Sequence, residues 1–183
     1  MRPRLVIFAK PPAMGRAKTR LAADIGPVRA MRLYRAMVAR ILRNTRDSRW
    51  QTLLALPDDS LNARHPVWPP DLPRIPQGGG DLGARQARAF SAPMTVVIGT
   101  DTSDMTARDI AAAFTALRRR EAVIGPAVDG GYWLLGLKRP ARPGLFEGVR
   151  WSHANTLNDL EKRLPRPIMR LAAKRDIDDG TDL

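Results

Sequence analysis

Short apolar runs alternate with amphipathic, helix-forming stretches along this chain, and that alternation limits the fold more than any other feature. Arg4-Leu-Val-Ile-Phe-Ala9 reads as a buried strand. Further strands are expected at Trp50–Leu56, Arg74–Gln77, Met94–Gly99, Glu121–Gly125, Gly131–Leu137 and Ile168–Ala172. Helices are expected over Ala17–Asp24, Val28–Asp47, Leu82–Ser91, Ala107–Arg120 and Asn155–Leu164, with Asp81 and Thr106 as N-caps. Strands alternating with helices build an α/β domain around a mainly parallel sheet. The proline-rich stretches Pro57–Pro73 and Lys138–Gly148 read as loops. No repeat or linker divides the chain, so residues 1–183 are expected to form a single domain.

Composition excludes several chemistries. There are no cysteines, which removes disulfides, thiolate zinc sites, thiol catalysis and iron–sulfur clusters. Two histidines, His65 and His153, are too few for a histidine-rich metal site, and neither is assigned a role. The four tryptophans, Trp50, Trp68, Trp133 and Trp151, are expected as core or loop anchors. A hydrophobic fraction of 44% argues against disorder. No apolar run reaches the roughly 18–20 residues of a membrane span, and Leu5–Ala9 is too short for a signal peptide. A soluble, cytoplasmic protein is the expectation, with no membrane partner.

The charge is uneven. The chain carries a net charge of +13, and residues 1–50 hold 13 Lys+Arg against two acids. Such a region attracts phosphates, nucleic acid or anionic surfaces. On a helical projection, however, Arg29, Arg32, Arg35, Arg40, Arg43 and Arg46 fall in one arc of roughly 140°, opposite Met31, Tyr34, Val38, Ile41 and Leu42. Those six arginines are expected to form a solvated helix face.

In open parallel sheets, ligands sit beyond the carboxyl ends of the strands. Three loops therefore become candidates. The first, after the first strand, holds Lys10, Gly15, Arg16, Lys18 and Arg20, cations suited to a phosphate chain. Its spacing is not that of a P-loop, because Ala17 precedes Lys18-Thr19. The second, Gly99-Thr-Asp-Thr-Ser-Asp104, places Asp101 just past a strand, where a carboxylate can hold a hard cation. Asp104 reads equally as part of the next helix's cap. The third, Asp129-Gly-Gly131, either brings backbone close to a ligand or makes a hairpin turn. Gln77-Gly-Gly-Gly80 either meets a base or is a flexible turn. Near the C-terminus, Asp176 and Asp178 share a face if extended, and with Asp101 they would make an oxygen-rich magnesium or manganese site. A solvated acidic tail is the plainer reading of that pair.

Four segments occur in order: Val6-Ile-Phe-Ala-Lys-Pro-Pro-Ala-Met-Gly-Arg-Ala-Lys-Thr-Arg-Leu-Ala22, Gly99-Thr-Asp-Thr-Ser-Asp104, Gly125-Pro-Ala-Val-Asp-Gly-Gly-Tyr-Trp133 and Arg175-Asp-Ile-Asp178. Together they resemble the DUF2064 family, glycosyltransferase-A-like proteins related to 2-phospho-L-lactate and molybdenum-cofactor guanylyltransferases. Pro76–Gly83 and Leu145–Ser152 also look like that family. The resemblance implies a three-layer α/β/α sandwich with a mainly parallel mixed sheet, of the nucleotide-diphospho-sugar transferase type. It implies nucleotide binding by Lys10, Gly15, Arg16, Lys18, Gln77 and Gly78. It also implies metal binding by Asp101, Asp176 and Asp178, and an acceptor side at Asp129, Gly130 and Gly131. The expected reaction moves a nucleoside monophosphate from a nucleoside triphosphate to a small phosphorylated acceptor, releasing pyrophosphate. Lys18, Arg16 and Asp101 would be the catalytic groups and Mg2+ or Mn2+ the cofactor. A glycosyltransferase with a nucleotide-sugar donor and a hydroxyl acceptor is the alternative. A basic nucleic-acid-binding protein is more distant, since no helix-turn-helix or RNA-recognition signature appears and aromatics are only 5%.

Overall fold

The structure, a computed structural model, describes residues 2–13 and 18–177. In chain order the elements are β1 (Arg4–Phe8), α1 (Thr19–Ile25), α2 (Pro27–Asn44), β2 (Gln51–Leu56), β3 (Arg74–Pro76) and α3 (Leu82–Ala89). They continue with β4 (Thr95–Ile98), α4 (Ala107–Leu117), β5 (Ala122–Pro126), β6 (Tyr132–Leu137), α5 (Thr156–Arg163) and β7 (Ile168–Arg170). Every expected strand and helix is present among the described residues, most with shorter ends, although α1, α2 and β5 each reach one residue past an expected end, at Ile25, Pro27 and Pro126. No described helix is long and apolar enough to cross a membrane.

The strands form one seven-stranded sheet in the order β3-β2-β1-β4-β6-β5-β7. Only β6 runs antiparallel to its neighbours, β4 and β5; the remaining pairs are parallel. Alternation along each strand divides the core in two. Leu5, Ile7, Leu54, Val96 and Ile98 pack on one face with Tyr34, Val38 and Ile41 of α2 and Ile110 and Phe114 of α4. Val6, Leu53, Val97, Ile124 and Leu135 pack on the other with Phe90 after α3 and Leu160 of α5. Helices therefore cover both faces, in three α/β/α layers. The six arginines from Arg29 to Arg46 are all exposed, as the projection predicts.

Local chemistry sets the shortened ends. Met94 has φ +52°, which a strand cannot hold, so β4 begins at Thr95. α1 starts at Thr19 because Lys18 is left-handed, φ +53°. α2 stops at Asn44; the Thr45 hydroxyl donates to the Ile41 carbonyl at 2.8 Å, competing with the helix ladder. At α4, Thr106 and Asp109 form a reciprocal capping box. Asp104 takes no part in that cap and instead pairs with Lys174 at 3.1 Å.

Candidate active site

β1 and β4 are adjacent and parallel, yet their chains leave toward opposite ends of the sheet, and at such a switch point two loops part to leave a crevice. A cleft of about 780 Å3 opens there. Lys10, Lys18, Gln77, Asp101, Asp129, Gly131 and Asp176 all line it, as does Arg20. Gly78 and Gly130, though next in sequence to lining residues, do not line it. Gly15, Arg16 and Asp178 lie outside the described residues.

Tyr34 of α2 fastens the two strand-end loops together. Its hydroxyl accepts from the Lys10 N–H at 3.1 Å and lies 3.2 Å from both the Lys10 carbonyl and the Thr100 hydroxyl. Burial raises the pKa of this phenol, so it stays a protonated donor.

The acidic part of the site is assembled over a long sequence distance. After β7 the chain continues alongside β5: Leu171 N–H donates to Ile124 O at 2.8 Å, and Lys174 N–H to Pro126 O at 3.1 Å. It then reaches β4's loop, where Ile177 N–H donates to Asp101 O at 3.0 Å. The Thr102 hydroxyl donates to the Asp176 carboxylate. Asp101 and Asp176 are thus brought to one place, and neither is a loose tail residue.

Lys18 Nζ lies 2.6 Å from Asp101 Oδ1 and also donates to the Ile177 carbonyl. The lysine side chain is 5% exposed and the aspartate's 50%, so the ammonium lines the cleft with little of its surface open while the carboxylate is half open. A left-handed non-glycine residue is locally strained, and here the strain is what aims Lys18 inward. Among the described residues no three acidic or histidine groups form a metal cluster. Asp101 and Asp176 nevertheless fit a hard divalent cation: they offer carboxylate oxygens, and the ammonium beside Asp101 shows that positive charge is accommodated there.

Gln77 does more than line the cleft. Its amide nitrogen donates to Ala9 O at 3.2 Å and Ala55 O at 2.9 Å, tying the ends of β1 and β2 together. Gly78, at φ +75°, donates its N–H to Asp58 Oδ1 at 2.9 Å.

The cleft is also lined from α3, the start of β6 and the loop before α5, by Arg85, Gln86, Tyr132, Trp151, Ser152 and His153. Sequence reasoning left these out. Trp50, Trp68 and Trp133 are buried as expected, but Trp151 is only half-buried and lines the cleft, so it is not simply a core anchor. The available signal was the family-like Leu145–Ser152 segment; nothing in it states that it folds against Asp129–Gly131. The turn is held by the residues just beyond that segment: Leu157 N–H of α5 donates to Gly130 O at 2.9 Å, while Asp129 Oδ1 accepts from Gly131 N–H at 2.9 Å. Asp129-Gly-Gly131 therefore is a hairpin turn between β5 and β6 and also part of the cleft.

The wall loop is clamped by Arg150, which meets Asp159 with Nε and Nη2 at 2.7 and 2.8 Å. These bonds hold the Asp159 carboxyl down from 3.8 to about 2. A carboxyl depressed in the folded state adds stability above its ordinary pKa and loses it as pH falls through the folded value. The expected result is acid loosening of this loop between about pH 4 and 2. Asp159→Asn removes that dependence. An NMR titration of the Asp159 carboxyl checks it; a midpoint near 4 contradicts the clamp.

The comparisons with known proteins agree with this architecture. The family model described as "Uncharacterized protein conserved in bacteria (DUF2064)" matches residues 40–153. A protein from Desulfovibrio desulfuricans G20, described as a candidate nucleotide-diphospho-sugar transferase, is 28% identical with a TM-score of 0.85, covering 97% of this chain and 83% of that one. The 4-diphosphocytidyl-2C-methyl-D-erythritol synthase of Anaerococcus prevotii DSM 20548 is 10% identical with a TM-score of 0.62, covering 98% and 93%. Rv0371c of Mycobacterium tuberculosis H37Rv, in complex with manganese, is 16% identical with a TM-score of 0.55, covering 100% and 95%. The last two show a shared fold. No curated protein matches the sequence.

Proposed function

The chain belongs to the DUF2064 family, and from that premise we propose that it is a metal-dependent nucleotidyltransferase, with residues 1–183 working as a single domain. It transfers a nucleoside monophosphate from a nucleoside triphosphate to a small phosphorylated acceptor. The observation that carries this reading is the meeting of Lys10, Lys18 and Arg20 with Asp101 and Asp176 in one cleft at the β1–β4 switch point. Cations alone would suit any anion. Cations facing a pair of carboxylates suit a polyphosphate that arrives with a divalent metal.

An oxygen of the acceptor phosphate attacks the α-phosphorus, the α–β phosphoanhydride bond breaks, and pyrophosphate leaves with the bonding electrons. Asp101 and Asp176 would hold Mg2+ or Mn2+, joined by Asp178, which supplies charge neutralisation when bound. The manganese complex of Rv0371c supports a cation of this class. Lys18, Lys10 and Arg16 hold the phosphates and stabilise the charge that develops on their oxygens. Gly15, Gln77 and Gly78 border the nucleotide; Asp129, Gly130 and Gly131 border the acceptor. No covalent protein intermediate is required.

A second reading keeps the site and changes the bond broken: a nucleotide-sugar donor with its diphosphate as leaving group. The description of the Desulfovibrio protein favours it. A thermal-shift screen of four nucleoside triphosphates and common nucleotide sugars, each with and without Mg2+, tests both. A ligand at 100 times its Kd stabilises by about 2.7 kcal/mol. Metal-dependent stabilisation by a triphosphate, with pyrophosphate released on turnover, is the expected result. Released nucleoside diphosphate selects the glycosyl reading, and stabilisation by no nucleotide overturns both.

A further inference from the structure

We propose that Gln86 and Tyr132 form a hydroxyl-reading pair on the acceptor side of the cleft, so that the acceptor carries a free hydroxyl group as well as its phosphate. This rests on the reading of the cleft as a nucleotide-and-acceptor site. Gln86 comes from α3 and Tyr132 from the first position of β6. Both line the cleft, beside the Asp129–Gly131 turn and Trp151. Gln86 Oε1 and the Tyr132 hydroxyl are each buried without a hydrogen-bond partner. Among the described residues only Trp68 Nε1 shares that condition, and it lies elsewhere.

A buried polar atom with no partner costs about 1–3 kcal/mol, and native structures hold few of them. Two on residues that line one cleft call for a common reason. Their chemistry is complementary in a particular way. Gln86 Oε1 only accepts. Burial raises the pKa of the Tyr132 phenol, so it keeps its proton and donates. An alcohol has one donor and two acceptor sites, so a single hydroxyl can donate to Gln86 and accept from Tyr132. A phosphate or carboxylate oxygen, which carries no proton, cannot satisfy Gln86 Oε1. Both residues line the cleft although these two atoms are covered, so the Gln86 side chain must turn toward the arriving hydroxyl. Trp151 offers an apolar face for the carbon skeleton that carries the hydroxyl.

This arrangement makes binding and stability oppose each other, which gives the test. Tyr132→Phe and Gln86→Met remove the polar atom and nearly keep the volume. Unliganded, each variant is expected to melt about 2–4 °C above the wild type, because an uncompensated polar atom is gone. Glycerol 3-phosphate and propyl phosphate, which differ by two hydroxyls, are the probes. In the wild type, glycerol 3-phosphate is expected to bind about tenfold more tightly by calorimetry, and in either variant that preference falls toward one. Magnesium-dependent nucleotide binding is expected to survive both substitutions. A variant that melts lower than the wild type means that a bound water already satisfies the pair, and overturns the proposal. Equal binding of the two probes, or of neither, overturns it as well. If nucleotide fails to bind the wild type while the probe preference stands, it is the nucleotidyltransferase reading that falls.

Discussion

Asp101→Asn is expected to lower metal-dependent turnover by at least about 10²-fold, the loss typical of removing a group that stabilises transition-state charge. It is also expected to destabilise the unliganded protein. The Lys18 side chain is 5% exposed and its ammonium lies 2.6 Å from the Asp101 carboxylate. The amide replacement takes the Asp101 charge away from that largely buried cation, at a cost of about 1–3 kcal/mol. The half-exposed position of Asp101 and the Ile177 carbonyl keep the cost within that range. Adding Lys18→Met to Asp101→Asn is expected to recover part of the melting temperature and leave turnover low, since removing both members of the pair removes their coupling. Thermal denaturation and a pyrophosphate assay on the two single variants and the double variant separate these effects. Wild-type turnover in Asp101→Asn contradicts the assignment of Asp101 to the site.

Gly130→Ala has the second large effect. Gly130 sits at φ +88°, and a Cβ there would lie 2.1 Å from the Ala154 carbonyl oxygen and 2.8 Å from its carbonyl carbon. Those are backbone atoms, so the clash is relieved only by moving the hairpin away from the loop that carries Ser152 and His153. The left-handed conformation alone costs an alanine roughly 1–2 kcal/mol, and overpacking adds about 1–3. A melting temperature lower by about 5–15 °C follows. Gly148→Ala is the control: its φ is +68°, but nothing lies within 4 Å of the added Cβ. It meets only the conformational cost. If the two variants melt together, the contact between hairpin and loop is not what holds the cleft wall.

Much of the fold was legible because its signal is local. A run such as Leu5-Val-Ile must be buried on both faces, and Thr106 with Asp109 three residues on must start a helix. The arginine face of α2 was readable for the same reason: its period is that of one helix. Element ends were less legible, because Met94 and Lys18 adopt left-handed backbone that no residue type announces. The position of β6 between β4 and β5, antiparallel to both, is likewise a matter of tertiary pairing.

The candidate site divides in the same way. Lys10, Lys18 and Asp101 follow strands directly, so the rule that ligands sit beyond strand ends was enough to find them. Asp176 read more plainly as solvated tail; only the path of the C-terminal segment along β5, and its bonds to Asp101 and Thr102, brings it to the cleft. Asp104 stood in both the cleft loop and a cap reading, and the structure gives it to Lys174 instead. Gln86 and Tyr132 were given no role and Trp151 was read only as an anchor; their meeting at one cleft is made by packing across three separate segments.

By itself, then, the alternation of apolar runs and helices determined an α/β sheet, and the residues after β1 and β4 determined where an anion and a cation could meet. Those are properties of neighbours in the chain, where periodicity and steric rules act. The tertiary structure decided which carboxylates converge, which lysine pairs with Asp101, and which polar atoms are left without partners beside the cleft. Such facts depend on distances between segments up to 159 residues apart, as between Lys18 and Ile177, and no local rule encodes a distance of that kind.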